Sequence, residues 1–515
     1  MKRFAKKLAV AALSAALLAG GAVNAAAVEV APAASVVAVE HADLIVVGGG
    51  LGGLTAALSA AQNGASVILL EKLDILGGNT SLARGGFNAA GTRFQDATVE
   101  ANSVEATIEW WFANQDMSLR MGSFDPDRVV NVVERSAAST EWIYEMGWIF
   151  QADPIPGRGH QPHSSMPTLP GGIVSNGTRM VYFFQTRAYE AGVEILRETR
   201  GIELIQDARG AVVGVVAQTP DGVVNFMGDN VVLATGGWTR SPEMVARMLP
   251  SYSIHAPFSV TCISHQGDGI LMAEAVGAAV YDDQFLISWD ILPGDPGFSA
   301  GDVSFRLPTM IMVDGEGERF MREAFPGSQW GYFVQSILEH TPDFAPLVIF
   351  DSSEPFDSPL AQLGGEISRI GLATELYEDG SEHVFMADTI AELAQAVGLP
   401  AANLEATVDA INAAAAAGTA CPLGKPDQFV VPLTEGPFFA IRHFASDMGT
   451  MGGVVTNHYN QVLNTNGNVI PGLFAVGEMS NGAYFGMIYM GGSSLSITLT
   501  AGRIVGKFIT DTPFD

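Results

Sequence analysis

Two cysteines, Cys262 and Cys421, are all that the 515 residues contain. A chain this poor in thiols has no C-x-x-C-H for haem attachment and no cluster for iron–sulfur or zinc. An external electron carrier must therefore be another protein. The pair reads either as two small buried side chains or, in an oxidising compartment, as one disulfide. Basic residues are scarce as well: 26 Lys and Arg stand against 55 Asp and Glu, a formal charge of -29. Such a chain gives neither a phosphate backbone nor an anionic membrane anything to hold, which argues against nucleic acid as a partner. Disorder is excluded too, because 48% of the residues are hydrophobic and the length suffices for two or three domains around a large core.

The first residues have the layout of a Sec-type signal peptide over 1–25. A basic Met1-Lys2-Arg3-Phe4-Ala5-Lys6-Lys7 precedes an apolar run from Leu8 to Ala19, and small residues surround Val23-Asn24-Ala25. A retained anchor is the alternative, since Leu8 to Ala27 approaches the ~20 apolar residues of a membrane span. Gly20-Gly21 and Asn24 suit cleavage better, and the expectation is a protein of the periplasm or cell envelope without a membrane span after cleavage. Residues 26–40, rich in Ala and Val, read as a linker.

Asp43 to Val47 is a short β-branched run suited to a buried parallel strand, and it ends at Gly48-Gly49-Gly50-Leu51-Gly52-Gly53. An alanine-rich helix to Asn63 and a strand Val67 to Leu70 follow, with Glu71 at the strand's end. This is a complete β-α-β dinucleotide unit. Gly48 permits the tight turn, Gly50 lets the backbone approach a pyrophosphate, and Gly53 lets helix and strand pack closely. The helix N-terminus faces the phosphates, and Glu71 can accept hydrogen bonds from an adenosine ribose.

Farther along, Val213 to Gln218 and Val223 to Phe226 suggest a hairpin, and Asn230 to Gly237 a buried strand ending in glycines. From Tyr252 to Asp357 aromatics and prolines interrupt the α/β rhythm. Helical patterning returns over Thr389–Ala417, and a final helix spans about Ser494 to Phe508. The expected organisation is a nucleotide-binding domain over 41–251, an inserted domain over 252–357, and the second part of the first domain over 358–515.

After Lys72, the segments Leu76-Gly77-Gly78-Asn79-Thr80-Ser81 and Ala83-Arg84-Gly85-Gly86-Phe87-Asn88-Ala89 resemble the flavin-cradling stretch of the fumarate reductase and succinate dehydrogenase flavoprotein family. Further landmarks follow in the family's order: Ala234-Thr235-Gly236-Gly237, Gly267-Asp268-Gly269, Glu318-Arg319-Phe320, Thr450-Met451-Gly452-Gly453, Gly472 to Glu478, and Gly491-Gly492. The resemblance runs from His41 to the C-terminus. It implies an α/β fold with a Rossmann-like FAD-binding domain interrupted by a mobile α+β capping domain. It also implies FAD contacts at Gly48, Gly50, Gly53, Glu71, Lys72, Gly78, Asn79, Thr80, Gly85, Gly86, Gly236, Asp268, Gly477, Glu478, Ser494 and Leu495. Asn79 stands where membrane-bound relatives carry the histidine of covalent FAD, so the implied flavin is noncovalent.

The departures bear on the substrate. Soluble fumarate reductases of the family hold two carboxylates with histidines and arginines and take the proton from another arginine. In this chain those four positions fall on Trp289, Gly327, Gly449 and Tyr489. Loss of one charge-assisted carboxylate contact costs about 1.5–3 kcal/mol, so fumarate is not the expected substrate. Tyr489, before Met490-Gly491-Gly492, resembles the tyrosine and glycine-rich turn of 3-ketosteroid dehydrogenases in the same family, which also includes urocanate reductases. It could support an enolate oxygen or simply pack under the cap. Tyr332 and Arg322 are the candidate proton donors. His160 and His163 are spaced as metal ligands might be, but no further ligands accompany them, and no metal site is expected.

The expected function is an exported FAD-dependent oxidoreductase acting on CH–CH groups, which reduces a C=C bond conjugated to a carbonyl or carboxylate of a small substrate other than fumarate. The expected electron donor is external, a periplasmic cytochrome c or another redox protein. The alternatives are a dehydrogenase of a ketone-like substrate passing electrons outward and a noncatalytic flavin electron carrier. The inserted domain argues against a carrier, which gains from an exposed flavin.

Overall fold

The computed structural model describes residues 39–83, 85–95, 98–119, 123–150, 163–164, 176–250, 252, 259–291, 309–323, 336–341, 345–353, 368–419, 421, 423–486 and 488–514. Its largest sheet is mostly parallel. The strand Val39–Val47 lies between Val67–Leu70 and Gly222–Leu233, and the sheet extends to Glu194–Leu196 on one side and to Val469–Ala475 on the other. Leu44, Ile45, Val46 and Leu69 have no exposed surface, as expected of strands covered on both faces. Each such side chain contributes roughly 1.5–3 kcal/mol by leaving water.

Two expectations are amended here. The central strand begins at Val39, inside the segment read as a linker over 26–40, and Val39 already pairs with Asn225. The hairpin arm and the buried strand near Asn230 are one element, Gly222–Leu233. Its first half pairs antiparallel with Val212–Thr219, and most of its length runs parallel to the central strand.

A second, antiparallel sheet has the order Ile311–Val313, Leu347–Asp351, Phe438–Arg442, Val384–Ala387. Its strands come from both sides of residue 357, so the expected boundary there does not separate the two units. The helices Ile390–Val397 and Ala401–Ala417 share a core with this sheet through Leu393, Val397, Leu404, Val408 and Ile411. After His443 the chain leaves the sheet as Phe444–Met451, which forms a two-stranded ribbon with Phe285–Ile291. In that ribbon Asp447 pairs with Ser288 and Gly449 with Ile287, so Met448 is the extra residue of a bulge.

The helix Leu51–Gln62 is followed in space by the last helix, Ser494–Ile509. A Cβ at Gly52 would stand 3.3 Å from Thr498, one at Gly502 would stand 2.0 Å from Thr55 Oγ1, and one at Gly506 would stand 2.5 Å from Ser59. Successive contacts advance along both helices together, so the two run parallel, backbone against backbone. Their N-terminal ends lie on the same side of the molecule.

Candidate functional site

The first glycine run does what its spacing predicts. Gly48 has φ +109, and a Cβ on Gly53 would sit 1.9 Å from Gly48 O, so helix and strand touch through bare backbone. Gly50 differs: the nearest atoms to a Cβ there are Gly77 O at 3.7 Å and Thr80 Oγ1 at 3.8 Å, which leaves room for a ligand. Thr80 Oγ1 accepts from Leu51 N–H at 3.2 Å, and Gly77 N–H donates to Gly49 O at 3.0 Å, tying the Gly78–Leu82 turn over the helix start. Glu71 accepts from Gly49 N–H at 2.8 Å and Leu73 N–H at 2.9 Å. Burial raises its carboxyl above the ordinary value, and those hydrogen bonds offset this only in part. Lys72 and Asp268 form an ion pair at 2.6 Å, and Arg200 meets the same carboxylate at 2.7 Å.

The segment Gly86-Phe87-Asn88 clasps the turn before the last helix. Asn88 N–H donates to Gly492 O and its Nδ2 to Gly491 O, both at 3.0 Å, and Gly86 lies against Gly492 with 3.1 Å between a built Cβ and Cα. Gly85 immediately precedes this contact. Two parallel helix N-termini, an open position at Gly50 and the buried, unpartnered Asn88 Oδ1 fit a dinucleotide that carries two phosphates and a polar ring.

Tyr489 follows the short helix Gly482–Phe485, and its ring packs edge-on against Phe485 at 5.3 Å. Its hydroxyl receives hydrogen bonds from the Ser494 side chain and from the Gly492 and Ser494 N–H groups. Burial nevertheless raises the phenol above its ordinary range, so it stays protonated at neutral pH. Leu495 is buried immediately beyond.

Gly449 sits beside Glu478, and a Cβ there would lie 3.0 Å from Glu478 Oε1 and 3.4 Å from Ile287 Cδ1. Trp289 pairs through its backbone with Ser446 on the same ribbon. Ile287, Met448 and Tyr489 belong to one apolar cluster with Phe285, Met451 and Ile488. The structure thus brings Gly449, the Trp289 strand and Tyr489 together. Arg322 stands elsewhere, with its Cδ 3.8 Å from a Cβ built on Gly424. Gly327, Tyr332 and His160 lie outside the described residues, as does the His163 side chain. Among the described residues no cluster of three or more His, Cys, Asp or Glu could hold a metal ion. Both cysteines are free, which rules out the disulfide alternative.

Around Glu478 lies a group of buried side chains that motif reading passed over. Glu478 Oε1 meets His265 Nε2 at 2.6 Å and the hydroxyl of Thr450 at 3.0 Å, and it also accepts from Thr450 N–H. Its Oε2 accepts from Asn79 Nδ2 at 3.1 Å, while Asn79 Oδ1 accepts from Cys262 N–H at 2.7 Å. Burial acts to raise the Glu478 carboxyl, but His265 and the Thr450 donors outweigh it and hold it below the usual range. On the far side, Thr239 joins His265 to Asp447, and Tyr252 OH donates to Asp447 at 2.7 Å. Space for this comes from the glycine pair, because a Cβ on Gly237 would be 2.1 Å from Thr450 Oγ1 and one on Gly236 3.3 Å from His265. Gly477 leads into Glu478 at the end of the Val469–Ala475 strand. Asn79, Thr450 and Glu478 stand in the family motifs, whereas Thr239, Tyr252, His265 and Asp447 carry no local signal, because their partners lie far away in sequence.

Comparison with known proteins agrees with this geometry. Residues 43–495 match the FAD binding domain family. The chain is 30% identical over 470 residues to a fumarate reductase (cytochrome) of Shewanella frigidimarina, covering 90% of this chain and 76% of that one. It is also 30% identical over 478 residues to a urocanate reductase of Eggerthella lenta, covering 90% and 74%. Among solved structures, a 3-ketosteroid-Δ4-(5α)-dehydrogenase of Rhodococcus jostii superposes with a TM-score of 0.70 at 25% identity, over 92% of this chain and 97% of that one.

Proposed function

Since this chain belongs to the FAD-binding fumarate reductase flavoprotein family and is an FAD-dependent oxidoreductase acting on CH–CH groups, we propose that it reduces a C=C bond conjugated to a carbonyl, in a substrate other than fumarate. The observation that carries this reading is the Gly449 position. Glu478 stands there with its carboxylate held ionised, and the surrounding wall is built from Phe285, Ile287 and Met451. A substrate carboxylate brought to that wall meets a like charge at Glu478. A neutral enone or an aromatic unsaturated compound does not.

Bound FAD supplies the hydride at its N5. The chain supplies orientation and charge control. Tyr489 donates a hydrogen bond to the substrate oxygen as negative charge builds there, and the N–H groups of Gly492 and Ser494 support the phenol. Gly48, Gly50 and Gly53 place the helix start against the pyrophosphate, and Glu71 takes the ribose hydroxyls. Tyr332 is the candidate that protonates the α-carbon, since Arg322 stands beside Gly424. The noncovalent flavin receives electrons from a basic periplasmic partner such as a cytochrome c, reached after export through the N-terminal signal. Among the described residues no helix is long and apolar enough to cross a membrane.

The reverse direction is the second reading, and the likeness to a 3-ketosteroid dehydrogenase favours it. One anaerobic experiment decides. Purified holoprotein reduced with a viologen dye is offered fumarate, urocanate, aromatic acrylates and cyclic enones, and the oxidised holoprotein is offered saturated ketones with a dye acceptor. Reduction of a neutral unsaturated carbonyl compound, with kcat/KM at least about 10²-fold above that for fumarate, supports the proposal. Efficient fumarate turnover overturns it.

A further inference from the structure

Beyond substrate reduction, a hydrogen-bonded chain runs Tyr252, Asp447, Thr239, His265, Glu478, buried except at Glu478, whose side chain is 15% exposed. The Thr239 N–H and hydroxyl oxygen stand 3.2 and 3.0 Å from His265 Nδ1 and hold the ring, and because the Glu478 carboxylate only accepts, the imidazole carries a proton on Nε2. That proton points at Glu478 Oε1, 2.6 Å away. The Thr239 hydroxyl, 3.0 Å from the same Nδ1, sends its own proton to Asp447 Oδ1 at 2.6 Å. Asp447 is held from its other oxygen by Tyr252, and the bulge at Met448 lets the Asp447 side chain reach this group while Gly449 lies against Glu478. His265 is 3% exposed and Asp447 not at all, so water does not compete for these bonds.

We propose that His265 is a positioning residue: held by Thr239 and Asp447 with its Nε2–H on Glu478, it fixes the Glu478 carboxylate beside the bound flavin and so biases the protein toward oxidised over reduced FAD. This rests on the reading that Glu478 borders the flavin. Reduction adds negative charge to the cofactor, and a fixed carboxylate in a poorly solvated site opposes that charge. Removal of the imidazole proton donor leaves Glu478 with weaker support, so it takes up a proton and the opposition is lifted.

The test is the flavin midpoint potential of the holoprotein at pH 7, followed spectroscopically, with the dissociation constant of oxidised FAD measured beside it. His265→Leu should favour reduced over oxidised FAD about tenfold more than the unmodified protein does, ~30 mV upward for a two-electron couple. His265→Gln, whose carboxamide can still donate to Glu478, should move most of the way back. Glu478→Gln, neutral and of the same shape, should shift the potential upward like His265→Leu, and the double variant should add nothing further. A merely structural role for His265 weakens both redox forms equally and leaves the potential in place, which overturns the inference. Loss of FAD from His265→Leu and Glu478→Gln alike also overturns it, because the pair would then serve binding itself. The readout needs no substrate: a failed substrate screen leaves it standing, and an unmoved potential in an active reductase sinks this inference alone.

Discussion

The glycine loop at Gly48–Gly53 and the Asp447 bulge both shape polar parts of the molecule, and they do so by opposite means. At the loop, glycines remove side chains, so that bare backbone at the start of the first helix forms the surface. At the bulge, backbone geometry serves to bury side chains: Asp447, Thr239, His265 and Glu478 make a polar interior within an apolar ribbon. The loop tolerates nothing added, and the bulge tolerates nothing taken away.

Substitution at the loop should show the larger effects. Gly53→Val forces a side chain into Gly48 O and should cost about 3 kcal/mol or more, read as loss of the folded protein in denaturant titration. At Gly50 a Cβ would stand no closer than 3.7 Å to any atom beyond its chain neighbours, so Gly50→Val should fold but purify colourless. A yellow Gly50→Val protein would remove the pyrophosphate from that position. Between the two regions stands Tyr489. Tyr489→Phe should lower kcat by about 10²–10³ with flavin content unchanged, as for loss of one oxyanion donor. An unchanged kcat would reduce Tyr489 to packing.

At the bulge, Asp447→Ala removes a shared acceptor from the Thr239 and Tyr252 hydroxyls, at about 1–3 kcal/mol in all, and a chemical denaturation midpoint should report it. The two regions should also separate by pH. The Glu478 carboxyl is depressed, so its contribution to stability is present above the unfolded value near 4.5 and is lost as the pH falls through the folded value. Glu71 is raised, so its contribution is present below that unfolded value and is lost as the pH rises through the folded one. Glu478→Gln should therefore destabilise the protein at pH 7 and matter less at pH 3, while Glu71→Gln should show the reverse trend.

The difference between the regions also explains what could be seen in the sequence. Strand, glycines, helix and Glu71 lie within 30 residues, each with a local mechanical reason, and the structure keeps all of them. The final helix was equally legible, but its parallel seat on the first was not, because Gly502 and Gly506 acquire meaning only against Thr55 and Ser59. The second sheet defeated a boundary at 357, since pairing between Leu347–Asp351 and Phe438–Arg442 crosses about 90 residues of intervening chain. The network at Glu478 joins positions 239, 252, 265, 447 and 478, and none of these residue types is unusual in its own neighbourhood. Non-local hydrogen bonding leaves no period to read.

The parallel seat of the two helices matters before the cofactor has arrived. FAD is an anion approaching a protein of net charge -29, so at distances beyond a few ångströms it is repelled, and only at the paired helix ends does the potential turn favourable. Salt screens the first field over about 8–10 Å and leaves contact with the N–H groups nearly untouched. Reconstitution of the apoprotein should therefore run faster as ionic strength rises, a kinetic gate whose polarity is the reverse of ordinary electrostatic steering.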